Sequence, residues 1–449
     1  HRLPNVCPVR PGEGGYMEVM GRSYRALIGT KAVDAEADDC KRREREKGER
    51  VLTVDGACGV GYDKIRNLAG LLGQLDGGGG NGGMTTLRPI NGPADGPLND
   101  GCGAEHVQKN RLPPLVYGGD GSGGGGQGNG RGRYVPMTYA ASVDGDADRV
   151  VFHYNRRRTG ADAAANAKQS SFRLLDGDKI AVLVTQFIQE ELRALQAAGV
   201  GGDLRCGIVQ TAYANGAATA YVRDTVRADV VVAKTGVKFV HAAAHDHFDV
   251  GVYFEANGHG TVLFSPRFYR MLGAAEIRLR GRYGDRANVA LQRLRLLPSL
   301  VNQSVGDAIS DLLLVDAILY LKGWSIEEWD GLYEDLPSRQ CKVQVQDRSV
   351  IRTNDSETRA TAPPNLQPAL DAAMAASDAA TKNGGRQTAV SAPSRCFVRP
   401  SGTENAVRVY AEASTQDAAD ALASEAAALL HKLCGGVGDP PRPIVRSRM

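Results

Sequence analysis

Three carboxylates alternate with small residues in Val143-Asp144-Gly145-Asp146-Ala147-Asp148-Arg149, and an arginine follows at once. On a strand the three would share one face but spread over about 13 Å, at roughly 3.3 Å per residue. On a helix Asp146 would point away from the other two. A tight loop, which Gly145 makes easy, brings all three to one ion. Without a counter-ion, two such anions about 4 Å apart repel by roughly 4 kcal/mol at an effective dielectric near 20. All-oxygen ligands favour a hard divalent cation, Mg2+ before Zn2+. An EF-hand is excluded, because Arg149 and Asn155 stand where its glycine and glutamate are needed. An Asp-rich surface turn is the plainer alternative, and the apolar flanks (Val143, then Val150, Val151 and Phe152) speak against it. A second Asp-Gly-Asp, Asp176 to Asp178, runs into a helical pattern and reads as a helix cap.

Three further loops carry polar chemistry. Arg399-Pro-Ser-Gly-Thr-Glu404 combines a fork-shaped cation, two hydroxyls and a glycine that lets backbone N–H groups approach oxygens, as a phosphate monoester requires. Arg408, in the next strand, can add a second guanidinium. Taken alone, this loop reads equally well as a plain Pro-Ser-Gly turn. Glu255, Asn257 and His259 are spaced by small residues at a strand end, and Glu and Asn suit the adjacent hydroxyls of a sugar ring. Lys234, Lys238 and His241 add positive charge and candidate proton carriers; a lysine-rich loop alone is usually only solvated.

The elements that must position these loops follow from periodicity. Val51–Ala57 reads as a strand entering a turn at Gly56 and Gly59, followed by a helix with Ile65, Leu68, Leu71 and Leu72. From Ser171, a long helix (Ile180 to Leu195) precedes strand 206–210, helix 212–225 and strand 229–233, an alternation that predicts a parallel sheet. Ligand loops then fall at strand ends: Lys234–Lys238 after one strand, Glu255–Gly260 after strand 250–254. Helices are expected around 287–297, 305–322 and 326–332. The last unit starts near Leu336, with strands 396–398 and 406–413 and a helix 416–434 ending at Gly435. The glycine tracts 77–83 and 118–132, the charged run 40–50 and the polar loop 382–393 read as surface segments.

With 449 residues, 42% hydrophobic and 23% charged, the chain reads as globular and multidomain, and its net charge of +3 gives no argument for nucleic acid. Its eight scattered cysteines hold no Cys-x-x-Cys pair and read as reduced thiols in a cytoplasmic protein. No apolar run reaches the roughly 18 residues of a membrane span. The expected divisions are 1–50 (the tail of a preceding domain and a linker), 51–170, 171–335 and 336–449.

Asp144-Gly-Asp-Ala-Asp-Arg149, Lys234-Thr-Gly-Val-Lys238, Glu255-Ala-Asn-Gly-His-Gly260 and Arg399-Pro-Ser-Gly-Thr-Glu404 together resemble the α-D-phosphohexomutases, in their order along the chain. The sugar loop is similar to that of the phosphoacetylglucosamine mutase branch. The resemblance runs from Val51 to Gly438 outside the glycine tracts. It implies an α/β, multidomain fold of mixed sheets covered by helices, with a smaller α+β C-terminal domain, and four domains around a cleft. It implies an isomerase that interconverts N-acetylglucosamine 6- and 1-phosphates through a phosphoserine and a bisphosphate; a glucose or mannose phosphate mutase and a non-catalytic sugar-phosphate binder are the alternatives. Carried over by position, Asp144, Asp146 and Asp148 would hold Mg2+, and Arg149, Lys238 and His241 would be catalytic. Lys234, Thr235, Gly236, Glu255, Ala256, Asn257, His259, Arg399, Pro400, Ser401, Gly402, Thr403 and Arg408 would hold the sugar phosphate. Two departures stand out. Phe239 occupies a position where the family usually has histidine, and the chain contains no Ser-His dipeptide of the phosphoserine loop. The expectation is therefore a mutase without most of its first domain, inactive alone.

Overall fold

A computed structural model describes residues 13–31, 50–75, 85–117, 132–156, 172–282, 285–383 and 393–444. The glycine tract 77–83, all but the last residue of tract 118–132, the charged run up to residue 49 and most of loop 382–393 lie outside the described residues. In chain order the elements are α1 (Glu13–Gly29), β1 (Val51–Asp55), α2 (Gly61–Leu75), β2 (Thr86–Ile90), α3 (Gly103–Asn110), β3 (Leu115–Val116), β4 (Arg133–Tyr134), β5 (Ala140–Val143), β6 (Val150–Asn155), β7 (Phe172–Leu175) and α4 (Gly177–Ala197). Then come β8 (Cys206–Thr211), α5 (Gly216–Tyr221), β9 (Asp229–Ala233), α6 (Val237–His247), β10 (Val250–Phe254), β11 (Gly260–Phe264), α7 (Pro266–Leu279), α8 (Arg286–Leu300), α9 (Ala308–Lys322) and α10 (Ile326–Asp330). The chain closes with β12 (Ser338–Gln344), β13 (Arg352–Thr353), β14 (Ala360–Ala362), α11 (Leu366–Asn383), β15 (Arg395–Pro400), β16 (Ala406–Glu412) and α12 (Gln416–Leu433). Two compact units result: His1–Ile208 with Ala244–Leu332, and Val209–Ala243 with Tyr333–Met449.

In the first unit a five-stranded sheet has the order β2-β1-β5-β6-β7. Strand β1 runs parallel to β2 and β5, whereas β5–β6 and β6–β7 are antiparallel, so the sheet is mixed. Leu52 and Val54 of β1 and Ile65, Leu68 and Leu72 of α2 are buried, as the periodicity requires. Helix α4 buries nearly a full cylinder of side chains, including Ile180, Leu183, Val184, Phe187 and Leu192, between α8, α9 and β10. Its N-terminus is capped by Asp176, whose carboxylate accepts the Asp178 N–H at 3.1 Å. A second sheet has β11, β10 and β8 as neighbours. Strand β11, which has no counterpart among the expected strands, joins β10 antiparallel, from Val250 opposite Phe264 to Phe254 opposite Gly260. A parallel crossover needs a dozen or more residues, and the short 255–259 connection permits only a hairpin.

In the second unit β16 lies between β12 and β15, antiparallel to both. Helices α11 and α12 pack together, α12 lies on the sheet, and Val343, Leu366, Leu370, Val398, Val407, Val409, Leu422 and Leu430 form their common core. Strand β12, strands β13 and β14 and helix α11 have no counterpart in the sequence reading. The helix expected over 212–225 begins only at Gly216, because the Asn215 side chain caps it by accepting the Ala217 N–H at 3.0 Å. Residues 212–215 are spent on a turn closed by the Ala214 N–H and the Thr211 carbonyl, 3.1 Å apart. Glu412, at the end of β16, accepts the Gly216 N–H at 3.1 Å on both oxygens, which fastens α5 to the C-terminal sheet.

Candidate functional site

Val143 faces Val150 across β5 and β6, so residues 144–149 close a hairpin. Asp144 turns back onto it: Oδ1 accepts the N–H of Asp148 at 3.0 Å and of Arg149 at 3.1 Å. Ala147 adopts a left-handed φ of 61°. One ligand atom from each of Asp144, Asp146 and Asp148 thereby lies within 4.8 Å of the others. Arg149 Nε approaches Asp144 Oδ2 to 3.5 Å and Asp148 Oδ1 to 3.4 Å. Asp148 Oδ1 is nevertheless buried without a hydrogen-bond partner. Burial, reinforced by Asp148, pushes the Asp144 carboxyl up to about 7. A divalent cation would relieve this crowding of negative charge. Three carboxylates with one unpartnered buried oxygen fit a hard cation such as Mg2+.

Glycines set the approach of the chain segments around this hairpin. A Cβ on Gly59 would lie 2.2 Å from the Gly145 carbonyl oxygen, which also accepts the Val60 N–H at 3.0 Å. On the other side a Cβ on Gly258, whose φ is 90°, would lie 2.1 Å from the Val150 oxygen. The Gly258 carbonyl in turn accepts the Val150 N–H at 3.2 Å. Gly177, opening α4, presses against the Glu255 carbonyl, where a Cβ would stand 1.8 Å away. The Ala308 N–H at the start of α9 donates to Ala147 O at 3.0 Å.

The hairpin loop between β10 and β11 is thus held against the acidic hairpin. Inside it, Glu255 N–H donates to His259 O at 2.9 Å, and Asn257 Oδ1 accepts the His259 N–H at 3.0 Å. His259 Nδ1 stands 3.1 Å from Asp148 Oδ2, and a Cβ on Gly306 would meet the His259 ring at 2.5 Å. Glu255, Ala256 and Asn257 are half-buried at the rim. Two loops more than 100 residues apart in sequence therefore form one site in the first unit.

The second unit gathers the cations. Arg399 and Arg408 are direct partners across β15 and β16, and Lys342 of β12 faces Arg408 from the other side. Like charges so placed are destabilising unless an anion joins them. Pro400 ends β15, and Ser401 is buried, its N–H donating to Ala406 O at 2.8 Å. Thr403 N–H reaches Ser401 Oγ at 3.5 Å. A Cβ on Gly402 would meet nothing within 4 Å, so open space flanks the loop there. Gly236, with a φ of 121°, lies between β9 and α6; Val237 and Lys238, read from the sequence as loop, already belong to the helix. Lys238 is exposed, its Nζ 4.8 Å from the centre of the Phe239 ring, and His241 lies further along α6.

Sequence reasoning missed the acids that meet these cations. Glu357 Oε2 accepts the Thr235 N–H at 3.0 Å and its hydroxyl at 2.7 Å, and stands 3.1 Å from Arg399 Nε. Asp355 Oδ1 lies 3.3 Å from Lys234 Nζ. Tyr213, whose ring packs edge-on against Phe397 at 5.1 Å, has a buried hydroxyl with no hydrogen-bond partner. Nothing local marks Glu357: Asn354-Asp-Ser-Glu-Thr358 reads only as a polar turn.

The fold is of the phosphohexomutase type. It aligns over 95% of its length with 72% of Aspergillus fumigatus N-acetylphosphoglucosamine mutase in complex with GlcNAc-6P and magnesium, at a TM-score of 0.72 and 34% identity. Residues 176–324 match the family model of phosphoacetylglucosamine mutase AMG1, domain III, and residues 360–429 that of the phosphoglucomutase/phosphomannomutase C-terminal domain. Phosphoacetylglucosamine mutases of Arabidopsis thaliana and Homo sapiens are 41% and 38% identical to it, over 94% and 96% of the chain. The chain belongs to the phosphoacetylglucosamine mutase family. It spans 66% of the length of each of these two relatives. Among the described residues no helix is long and apolar enough to cross a membrane.

Proposed function

We propose that these residues supply the cation, sugar and phosphate contacts of an enzyme that interconverts N-acetylglucosamine 6-phosphate and N-acetylglucosamine 1-phosphate. The supporting observation is the three-carboxylate hairpin held against the Glu255–Gly260 loop, in a family whose Aspergillus member carries GlcNAc-6P and magnesium. Asp144, Asp146 and Asp148 would hold Mg2+, which when bound offsets charge on a phosphoryl group in transfer. Arg149, already between two of the carboxylates, would add a fixed positive charge. Glu255 and Asn257, with Ala256 between them, would take sugar hydroxyls, and His259 would brace Asp148. In the second unit Arg399, Ser401, Gly402, Thr403 and Arg408 would grip a phosphate dianion, with Pro400 setting the turn and Lys234 and Gly236 lining the neighbouring loop. Lys238 and His241 would carry protons. In this reaction a phosphoserine gives its phosphoryl group to the sugar's free hydroxyl, and the other phosphate of the bisphosphate then returns to the serine. The hydroxyl proton leaves as the first O–P bond forms, and the serine oxygen recovers a phosphoryl group at the end. A cytoplasmic setting with reduced thiols is part of the same reading.

No Ser-His dipeptide occurs in these 449 residues, so the experiment must supply the phosphoryl carrier. The chain is assayed with N-acetylglucosamine 6-phosphate, Mg2+ and a bisphosphate primer, with and without a separately made domain bearing a Ser-His-Asn-Pro loop. Turnover that needs the added domain and favours N-acetylglucosamine phosphates over glucose phosphates is the expected result. A preference for glucose phosphates would point to a different mutase. Absence of both turnover and sugar-phosphate binding would remove the proposal.

A further inference from the structure

The turn between β13 and β14 is built with unusual care for an exposed connection. Asn354 Oδ1 accepts the N–H groups of Thr358 at 2.9 Å and Arg359 at 3.1 Å. Its Nδ2 donates to Ser356 Oγ at 3.0 Å and Thr358 Oγ1 at 3.1 Å. The Glu357 N–H closes the turn on Asn354 O at 3.0 Å. This holds Glu357 at a φ of 56°, a region where a glutamate is uncommon. A single side chain therefore fixes the backbone that aims Glu357.

What Glu357 is aimed at gives the turn its meaning. One carboxylate oxygen takes both donors of Thr235 and faces Arg399 Nε at 3.1 Å, with only 15% of the side chain exposed. Asp355, two residues earlier, meets Lys234. The turn thus joins the Lys234–Gly236 loop to the Arg399 loop. Glu357 stands beside Arg399 Nε as an ion-pair partner, without hydrogen-bond geometry, and the two terminal nitrogens of the guanidinium are the pair suited to gripping an oxyanion at two points.

We propose that Glu357 is a positioning residue of the second unit: it holds Thr235 and the Arg399 guanidinium so that the terminal nitrogens of Arg399 receive a phosphate monoester dianion. This rests on the reading that the Arg399 loop binds phosphate. Thr235 accordingly contributes by orienting the loop through Glu357. The rival role for the same carboxylate is a plug, an anion that occupies the cradle and must be displaced by phosphate. The two roles predict opposite signs, because removing a plug tightens binding and removing a positioner weakens it.

The test measures N-acetylglucosamine 1-phosphate and inorganic phosphate binding to the full chain by calorimetry, for wild type, Glu357→Ala, Glu357→Gln and Arg399→Ala. Losing a charge-assisted contact should weaken binding in Glu357→Ala by roughly 10- to 100-fold. Glu357→Gln, which keeps an acceptor for Thr235 while removing the repelling charge, should recover most of that loss. In ligand-free protein, the Arg399 Nε–H resonance should move in Glu357→Ala while the thermal midpoint stays in place, which a merely structural role would not produce. Tighter phosphate binding in Glu357→Ala would overturn the proposal in favour of a plug. Unchanged binding in Glu357→Ala alongside a loss in Arg399→Ala would overturn it and leave the phosphate reading intact. Wild-type binding that Arg399→Ala does not weaken would remove the phosphate reading and this inference with it.

Discussion

The acidic site of the first unit and the basic site of the second differ in how closely the backbone packs around them. Around Asp144, Asp146 and Asp148 close glycine approaches and main-chain hydrogen bonds set the path of the loop, and Arg149 and His259 pair with carboxylates already confined by it. Around Arg399 the holding is done by side chains: Glu357 and Asp355 meet the cations, and Gly402 faces open space. The reason is electrostatic. Short anionic side chains would spread apart under mutual repulsion unless a rigid loop confined them. Long cationic side chains need a counter-charge that limits their rotamers, and a loop can stay open in front of them.

The largest effect should separate the two kinds of glycine. Gly258→Ala forces a Cβ to within 2.1 Å of the Val150 oxygen at a φ of 90°, and should destabilise the first unit by about 2–4 kcal/mol. Both tryptophans, Trp324 and Trp329, belong to that unit, so their fluorescence in a denaturant titration reads it directly. A midpoint unmoved from wild type would show that the hairpins do not depend on this close approach.

Acid should also weaken the first unit. His153 is fully buried with Nε2 3.0 Å from Ser142 Oγ, and burial lowers its pKa from 6.5 to about 3. Between these values the unfolded chain binds the extra proton and the folded one does not. Stability from this group is therefore full above about 6.5 and lost as the pH falls toward 3, with a slope of the order of 1 kcal/mol per pH unit. Tryptophan-detected unfolding of His153→Phe against wild type, from pH 7 to 4, should show a shallower decline in the variant; parallel curves would contradict this account.

Asp146→Asn leaves the acidic hairpin folded but removes one of its charges. Its Mg2+ affinity in calorimetry should fall about tenfold or more, since even outer contacts of a metal site are worth that much. An unchanged affinity would show that the three carboxylates do not share the ion.

The smallest effect should come from Gly402→Ala, the counterpart of the first variant. Nothing lies within 4 Å of the added methyl, so the unfolding midpoint should stay within about 0.5 kcal/mol of wild type. Affinity for N-acetylglucosamine 1-phosphate should nevertheless drop by roughly fivefold, as the methyl enters the space left for the anion. A variant that loses stability instead would make the two glycines alike and dissolve the comparison.

Elements whose signals are local can be read directly from the order of residues. The acidic hairpin, the α4 cap at Asp176, strands β1, β8, β9 and β10 and the C-terminal helix, ending before Gly435 at a φ of 70°, follow from periodicity, turn residues and caps within a few positions. The same order also marks the loops that carry polar chemistry, because alternating carboxylates and an Arg-Pro-Ser-Gly-Thr run are legible without a fold. Which groups meet depends on packing between distant segments. Thr235 and Glu357 are 122 residues apart, and neither carries a local mark of the other. Antiparallel pairing of β10 with β11 depends on a strand, Gly260–Phe264, that is recognisable only by its partner. Gly59 was legible as a turn, but its need to be glycine came from the Gly145 carbonyl packed against it. Local patterns record what a segment prefers, whereas contacts at long separation arise only when packing brings the segments together.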